Sequence, residues 1–185
     1  MGKVIYSMSV SLDGYVEDAS GSIAFSAPED EVHRRANDQT RETSAFLFGR
    51  GLYEVMEEPW RAFATRDDLP DVQAEFAQIY LDTPRYVFSD TLESVPEGVQ
   101  LVRRADSESV VKGLKEESDG LLGIGGPTLA ASLFDLIDEF RLTVVPVLIG
   151  GGKPFFPPGR HLDMELVEEH RFPSGTVYLR YQRAG

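Results

Sequence analysis

Leu121-Leu122-Gly123-Ile124-Gly125-Gly126-Pro127-Thr128-Leu129 carries a short apolar run through three glycines and a proline into a segment with Leu129, Leu133, Leu136 and Ile137 at helical spacing. The run has the length and composition of a buried strand, and the segment after it, Thr128 to Leu136, reads as a helix. A strand that turns through glycine into a helix is the building unit of an α/β sheet. At such a junction the free helix amides and the missing Cβ atoms let a phosphate or pyrophosphate approach the backbone. The same glycines also suit a tight turn into a helix whose first residue is proline. The dinucleotide fingerprint itself is absent, because its third glycine would fall at Thr128 and no acidic residue follows about 20 positions on.

The pattern repeats on both sides. Val4 to Val10 reads as a strand closed by the Asp13-Gly14 turn, and Ala45-Phe46-Leu47-Phe48, stopped by Gly49, as a second. Arg85 to Ser89, Val99 to Arg103 and Phe140 to Ile149 are further strands. Ser26-Ala27-Pro28-Glu29 fits a capping box, so a helix is predicted from about Ala27 to Thr43. A short helix from Leu52 to Glu58 ends at Pro59-Trp60. Arg61 to Pro70 reads as loop, and helices follow at Asp71 to Leu81 and Ser107 to Glu117. Glu165 to Phe172 and Thr176 to Tyr181 flank Pro173-Ser174-Gly175 as a closing hairpin. The expected architecture is α/β: a mostly parallel central sheet flanked by helices, with an antiparallel C-terminal hairpin at its edge.

The chain has 185 residues, the size of one domain, and no linker or repeat divides it. Lys and Arg number 18 against 31 Asp and Glu, a formal charge of -13, which disfavours nucleic acid and anionic membrane as partners. With no cysteine there is no disulfide, thiolate metal site or cysteine nucleophile. No stretch has the length of a membrane span and no signal peptide opens the chain, so a cytoplasmic protein acting on a small molecule is expected.

Two more glycine junctions bear on that molecule. Gly150-Gly151-Gly152-Lys153-Pro154 is not a nucleotide P-loop, since Pro154 stands where a magnesium-binding hydroxyl is required; the glycines instead permit a sharp exit or a close approach by a ligand or a neighbouring loop. In Phe48-Gly49-Arg50-Gly51-Leu52-Tyr53-Glu54, a guanidinium lies just beyond a strand end at a helix start, placed either for a phosphate or for an ordinary surface pair. In open α/β sheets ligands bind outside the carboxyl ends of the strands, where both Arg50 and the Gly125-Gly126 junction fall.

With Ser11-Leu12-Asp13-Gly14-Tyr15, Val87-Phe88-Ser89-Asp90-Thr91-Leu92 and Val144-Val145-Pro146-Val147-Leu148-Ile149-Gly150-Gly151-Gly152, these motifs run in an order that resembles the dihydrofolate-reductase-like superfamily. Within it the chain is similar to the group of the C-terminal reductase domain of riboflavin biosynthesis. The resemblance implies a homodimeric reductase that takes hydride from NADPH, or from NADH, for a small heterocyclic substrate, such as an aminopyrimidine of the riboflavin pathway. It places the pyrophosphate at Gly123, Gly125, Gly126, Pro127 and Thr128, and the adenosine phosphate near Gly49, Arg50 and Ser89. Two positions depart from the family. Leu52 replaces a hydroxyl that would touch the pyrophosphate. Asp90 replaces a cation, and facing the cofactor it would oppose a 2′-phosphate or accept a ribose hydroxyl.

Hydride transfer also needs a proton donor. By resemblance to the first-helix carboxylate of folate reductases the candidate is Asp30, which also reads as a first-turn charge favoured by the helix dipole. Asp13 competes with it, and is equally ordinary turn chemistry before Gly14. Glu29 is assigned to the cap. His33, one turn after Asp30, is a packing residue or a relay; Trp60 is core or pocket wall; His161 and His170 have no companions at metal-ligand spacing, so no metal is expected. Folate is disfavoured as substrate because Ile23-Ala24-Phe25 stands where folate reductases carry Pro-Trp. The competing expectation is a non-catalytic ligand-binding or dimeric interaction module, favoured by Leu52 and Asp90.

Overall fold

The computed structural model describes residues 1–185. In chain order its elements are β1 (Lys3–Ser11), β2 (Tyr15–Glu17), α1 (Asp30–Thr40), β3 (Thr43–Gly49), α2 (Arg50–Phe63), α3 (Asp71–Asp82), β4 (Arg85–Phe88), β5 (Val99–Val102), α4 (Ser107–Glu117), β6 (Leu121–Gly125), α5 (Pro127–Ser132), β7 (Glu139–Val145), β8 (Lys153–Pro154), β9 (Met164–Arg171) and β10 (Val177–Arg183). Eight strands form one sheet in the order β5-β4-β3-β6-β1-β7-β10-β9. The first six are parallel, and β10 and β9 close the edge antiparallel, as the sequence predicts.

The strand alternation sends neighbouring residues to opposite faces. Leu47, Phe88 and Val102 point with Val111 of α4 and Leu129 of α5 into the larger core, while Phe48, Val87 and Val99 pack with Tyr53 of α2 and Tyr80 of α3 on the other face. Such two-sided burial explains why β3, β4 and β6 read as nearly unbroken apolar runs. Val32 of α1 covers Phe172 and Tyr178 at the antiparallel end. No helix is long and apolar enough to cross a membrane.

Several predicted details differ. The capping box does not form: the Ser26 hydroxyl donates to the carbonyl of Ile23 at 2.8 Å inside a short 3-10 turn, and Glu29 is the N-cap, with extended backbone and no side-chain cap. The helix therefore starts at Asp30, where Asp30 and Glu31 complement the dipole instead. Pro59 does not end α2, which runs on to Phe63. An internal proline costs about 3 kcal/mol, and here it is outweighed by tertiary packing, with Trp60 edge-on to Phe76 of α3 at 4.5 Å between ring centroids. The helix expected from Thr128 to Leu136 is α5 followed by a separate 3-10 turn, Phe134–Leu136.

The strand expected to reach Ile149 stops at Val145, and a two-stranded sheet, β2 with β8, goes unforeseen. The strand ends because Pro146 has no amide to donate and the Val147 amide turns back onto the Val145 carbonyl at 2.8 Å, and the small sheet depends on the glycine exit that follows. Gly152 has φ +136°, and a Cβ there would lie 1.9 Å from the Glu17 carbonyl oxygen, so only glycine lets β8 lie this close to β2.

Candidate functional site

The carboxyl ends of β3, β4, β6 and β1 open into one cleft of about 500 Å³. Its walls carry Gly49, Arg50 and Leu52 from the β3–α2 junction, Phe88 from β4, and Gly126, Pro127 and Thr128 from the β6–α5 junction. Met8 of β1, Val16 and Glu17 of β2 and Lys153 of β8 close the other end, and Arg104 enters from the segment after β5. Strands lie about 4.8 Å apart, so the cleft crosses roughly 20 Å of sheet from β5 to β1. Its volume lies within the usual range for small-molecule sites.

At the β6–α5 junction Gly126 has φ +98°, which favours glycine, and the first intrahelical bond runs from the Ala130 amide to the Gly126 carbonyl. Pro127 has no N–H, so the Thr128 and Leu129 amides are left over at the helix start. Gly125 lies beneath: a Cβ there would meet Leu52 Cδ2 at 2.5 Å and the Phe48 ring at 2.9 Å. Leu52 is thus the apolar cover of the junction, where the resemblance expects a hydroxyl. Gly123 sits within β6, and a Cβ on it would press on Thr43 Cγ2 at 3.3 Å; its absence lets the strands pack closely.

Ser89 and Asp90 do not line the cleft; they shape its rim. The buried Ser89 hydroxyl accepts the Thr91 and Leu92 amides, at 3.2 and 3.1 Å, and so closes a tight turn after β4. Arg103 ties the same turn by donating to the carbonyls of Ser89 and Leu92, at 3.0 and 2.9 Å. Asp90 accepts the Arg104 amide at 2.9 Å, and its other oxygen is 3.9 Å from Arg104 Nε. Arg50 donates to the Thr91 hydroxyl at 3.0 Å and lies 3.6 Å from Glu54. Arg104 is the cation that sequence reasoning missed. The rule that selected Arg50, a cation just past the end of a parallel strand, applies equally to Arg103-Arg104 after β5.

Neither proposed proton donor lines the cleft. Asp30 is on the exposed start of α1, 71% accessible and 3.6 Å from Arg34. Asp13 accepts the amides of Gly150 at 2.8 Å and Ile149 at 3.3 Å, fastening the loop after β1 to the loop after β7. The Ser11 hydroxyl, followed by these amides, holds the Asp13 carboxyl below its usual range. The carboxylates that do line the cleft are Glu17, 2.6 Å from Lys153 Nζ, and Glu108. His33 is half-buried, with its ring against Phe76 and Trp60. Burial pushes its pKa down despite Asp30 and Glu75 nearby. His161 is exposed beside Asp163, and His170 packs edge-on to Phe172, so neither belongs to the cleft.

Comparisons with known proteins agree with this architecture. The Bacillus subtilis (strain 168) uncharacterized protein YyaP is 25% identical over 99% of this chain and 96% of its own length. The diaminohydroxyphosphoribosylaminopyrimidine deaminase/5-amino-6-(5-phosphoribosylamino)uracil reductase of Thermotoga maritima superposes with a TM-score of 0.70 at 16% identity, over 99% of this chain and 57% of that one. Enterococcus faecalis dihydrofolate reductase, complexed with NADP(H), superposes with a TM-score of 0.68 at 15% identity, over 99% of this chain and 97% of that one. These likenesses establish a dihydrofolate-reductase-like fold. Residues 2–178 match the RibD C-terminal domain, and the chain belongs to that family.

Proposed function

We propose that this protein is a reductase that passes hydride from a reduced nicotinamide dinucleotide to a small heterocyclic substrate. The reaction is of the type catalysed by 5-amino-6-(5-phosphoribosylamino)uracil reductases and dihydrofolate reductases. The observation that carries the reading is the cleft itself, which joins a phosphate-suited end to an apolar end across the carboxyl edge of a parallel sheet. The family and the enterococcal reductase, whose structure holds NADP(H), support the same reading.

The residues present fit such a cofactor. Gly126 and the leftover Thr128 and Leu129 amides suit a pyrophosphate, with Leu52 packing beside it in place of a hydroxyl. Arg50 and Arg104 suit the adenosine end. Met8, Val16 and Ile23 give the far end an apolar wall against which a flat ring can pack and from which water is displaced. The cofactor, when bound, supplies the hydride; the protein fixes the facing geometry and lets a proton reach the heteroatom of the reduced bond. Homodimerisation belongs to the same proposal and is read from the mass in sedimentation.

The test is a titration with NADPH and with NADH, followed by nicotinamide fluorescence, and then by loss of nicotinamide absorbance on adding candidate pyrimidines and pteridines. Micromolar binding with substrate-dependent oxidation is the expected result. Failure of both nucleotides to bind up to millimolar concentration overturns the reading and leaves a non-catalytic module on the same fold.

A further inference from the structure

We infer that Arg35, Arg141 and Arg180 form a second anion site, beneath α1 at the antiparallel end of the sheet, and that it takes a small oxyanion, a phosphate or a carboxylate. The site is separate from the cleft and stands whether or not the cleft holds a dinucleotide.

The register of the sheet builds it. Ser7 of β1, Arg141 of β7, Arg180 of β10 and Glu168 of β9 are direct neighbours along one cross-strand row, and so share one face. Glu139 lies on the same face two residues before Arg141. Tyr178 is the diagonal neighbour of Arg141 across β7 and β10, and α1 lays Arg35 over its ring at 4.6 Å.

Charges alternate along this row. Glu139 Oε1 lies 2.6 Å from Arg141 Nε and 3.0 Å from Arg180 Nε. Arg180 Nη1 is 3.7 Å from Glu168 Oε2, and the other Glu168 oxygen accepts from Arg35. The series of five thus begins and ends on an arginine and carries one positive charge in excess.

Donors are in excess too. Arg141 is 6% accessible; its Nε donates to Glu139, and its two terminal nitrogens make no hydrogen bond within the chain. Arg35 Nε, Arg180 Nε and the Tyr178 hydroxyl are closed off from solvent and make no hydrogen bond either. Buried donors normally find a partner, and an unanswered charge among them is costly. One oxyanion answers both deficits, because it accepts from several N–H groups at once and guanidinium forks match its oxygens. Ser7 marks the way in: it is exposed although β1 is a central strand, and it adjoins Arg141 in the row.

Calorimetry with inorganic phosphate and with malonate, in chloride buffer, tests the site, with thermal melts of the same samples. Saturable millimolar binding is expected, and at ten times Kd the folding constant should rise about elevenfold. The tighter of the two probes distinguishes a phosphate ligand from a carboxylate one. Arg180→Met should weaken binding at least about fivefold. Arg141→Met combined with Glu139→Gln should do the same while removing an ion pair whole, which spares the fold. Glu168→Gln keeps an acceptor for Arg35 and raises the excess charge, so it should tighten binding, which a merely structural network would not do. Circular dichroism checks that each variant is folded. Absence of saturable binding, or equal affinity in both arginine variants, overturns the inference. Binding that is lost in Arg50→Met instead belongs to the cleft and overturns it as well. A rise in melting temperature of the same size in the wild type and in the arginine variants is general salt exclusion, and it too overturns the inference.

Discussion

Replacing Glu57 by alanine removes the centre of a buried charge network between α2, α3 and β4. Glu57 accepts the Tyr80 hydroxyl at 2.8 Å and Arg61 Nε at 3.1 Å. Arg85 Nε lies 3.2 Å from Glu57 Oε2 at an angle too poor for a hydrogen bond, so that contact is one of charge. Arg85 is 2% accessible and Glu57 9%. Leaving a buried charge without its partner costs about 3–5 kcal/mol, but Arg85 keeps the carbonyls of Tyr80, Leu81 and Thr83, which places its share at the low end. An unpaired Tyr80 hydroxyl adds about 1 kcal/mol. Arg61 reaches water and adds little. The expected loss is therefore about 4 kcal/mol, or roughly 8–16 °C in Tm for a domain of this size. Urea denaturation with an unchanged m-value is the assay. Glu57→Gln, which retains an acceptor for Tyr80, should lose less, and Glu57→Leu with Arg85→Met should recover most of the loss because the charge is removed with its partner. A loss under about 1 kcal/mol in Glu57→Ala would refute the reasoning, since a bound of that size belongs to surface pairs.

Gly152→Ala combines a φ of +136° with a Cβ 1.9 Å from a backbone oxygen, so a loss of about 1–3 kcal/mol is expected, together with faster amide exchange across the β2–β8 pairing; unchanged exchange would show that β8 does not depend on that approach. At alkaline pH the fold should weaken. Burial raises the pKa of Tyr6 and, with help from the Glu57 carboxylate, that of Tyr80, above the ordinary 10.0. Their contribution is intact below pH 10 and is lost above it, as the unfolded chain gives up protons that the native state keeps, at about 1.4 kcal/mol per pH unit for each tyrosine. Denaturation midpoints from pH 9 to 11 check the slope, which Tyr6→Phe should reduce; a flat profile would contradict the burial.

Much of the fold was legible because it rests on local signals. Gly49 and Gly125-Gly126 each mark a strand end, and the apolar runs before them leave little choice of face. What escaped had two sources. Pro59 reads as a stop until Trp60 has Phe76 to pack against, a tertiary contact, whereas the Ser26 cap is lost to a local competitor, the Ile23 carbonyl three residues back. The two-residue strand β8 carries too few residues for any periodicity. The cleft was partly readable: Gly49, Arg50, Leu52, Gly126, Pro127 and Thr128, named from the sequence, line it. Asp13 and Asp30 were chosen by residue type and motif position, yet their neighbours tie one to the Gly150 loop and leave the other on the surface. Arg104 was open to the same strand-end rule as Arg50 and was passed over, whereas Glu17 entered only with the pairing of β2 and β8, which no sequence signal announced.

Leu52 and Gly125 occupy one shared volume, so neither position mutates independently. Any side chain at 125 demands a smaller residue at 52, and a hydroxyl introduced at 52 leaves a gap above the glycine. The two sites, 73 residues apart in sequence, should therefore be expected to change together among relatives. Redesign of the cofactor end has to treat them as a single choice.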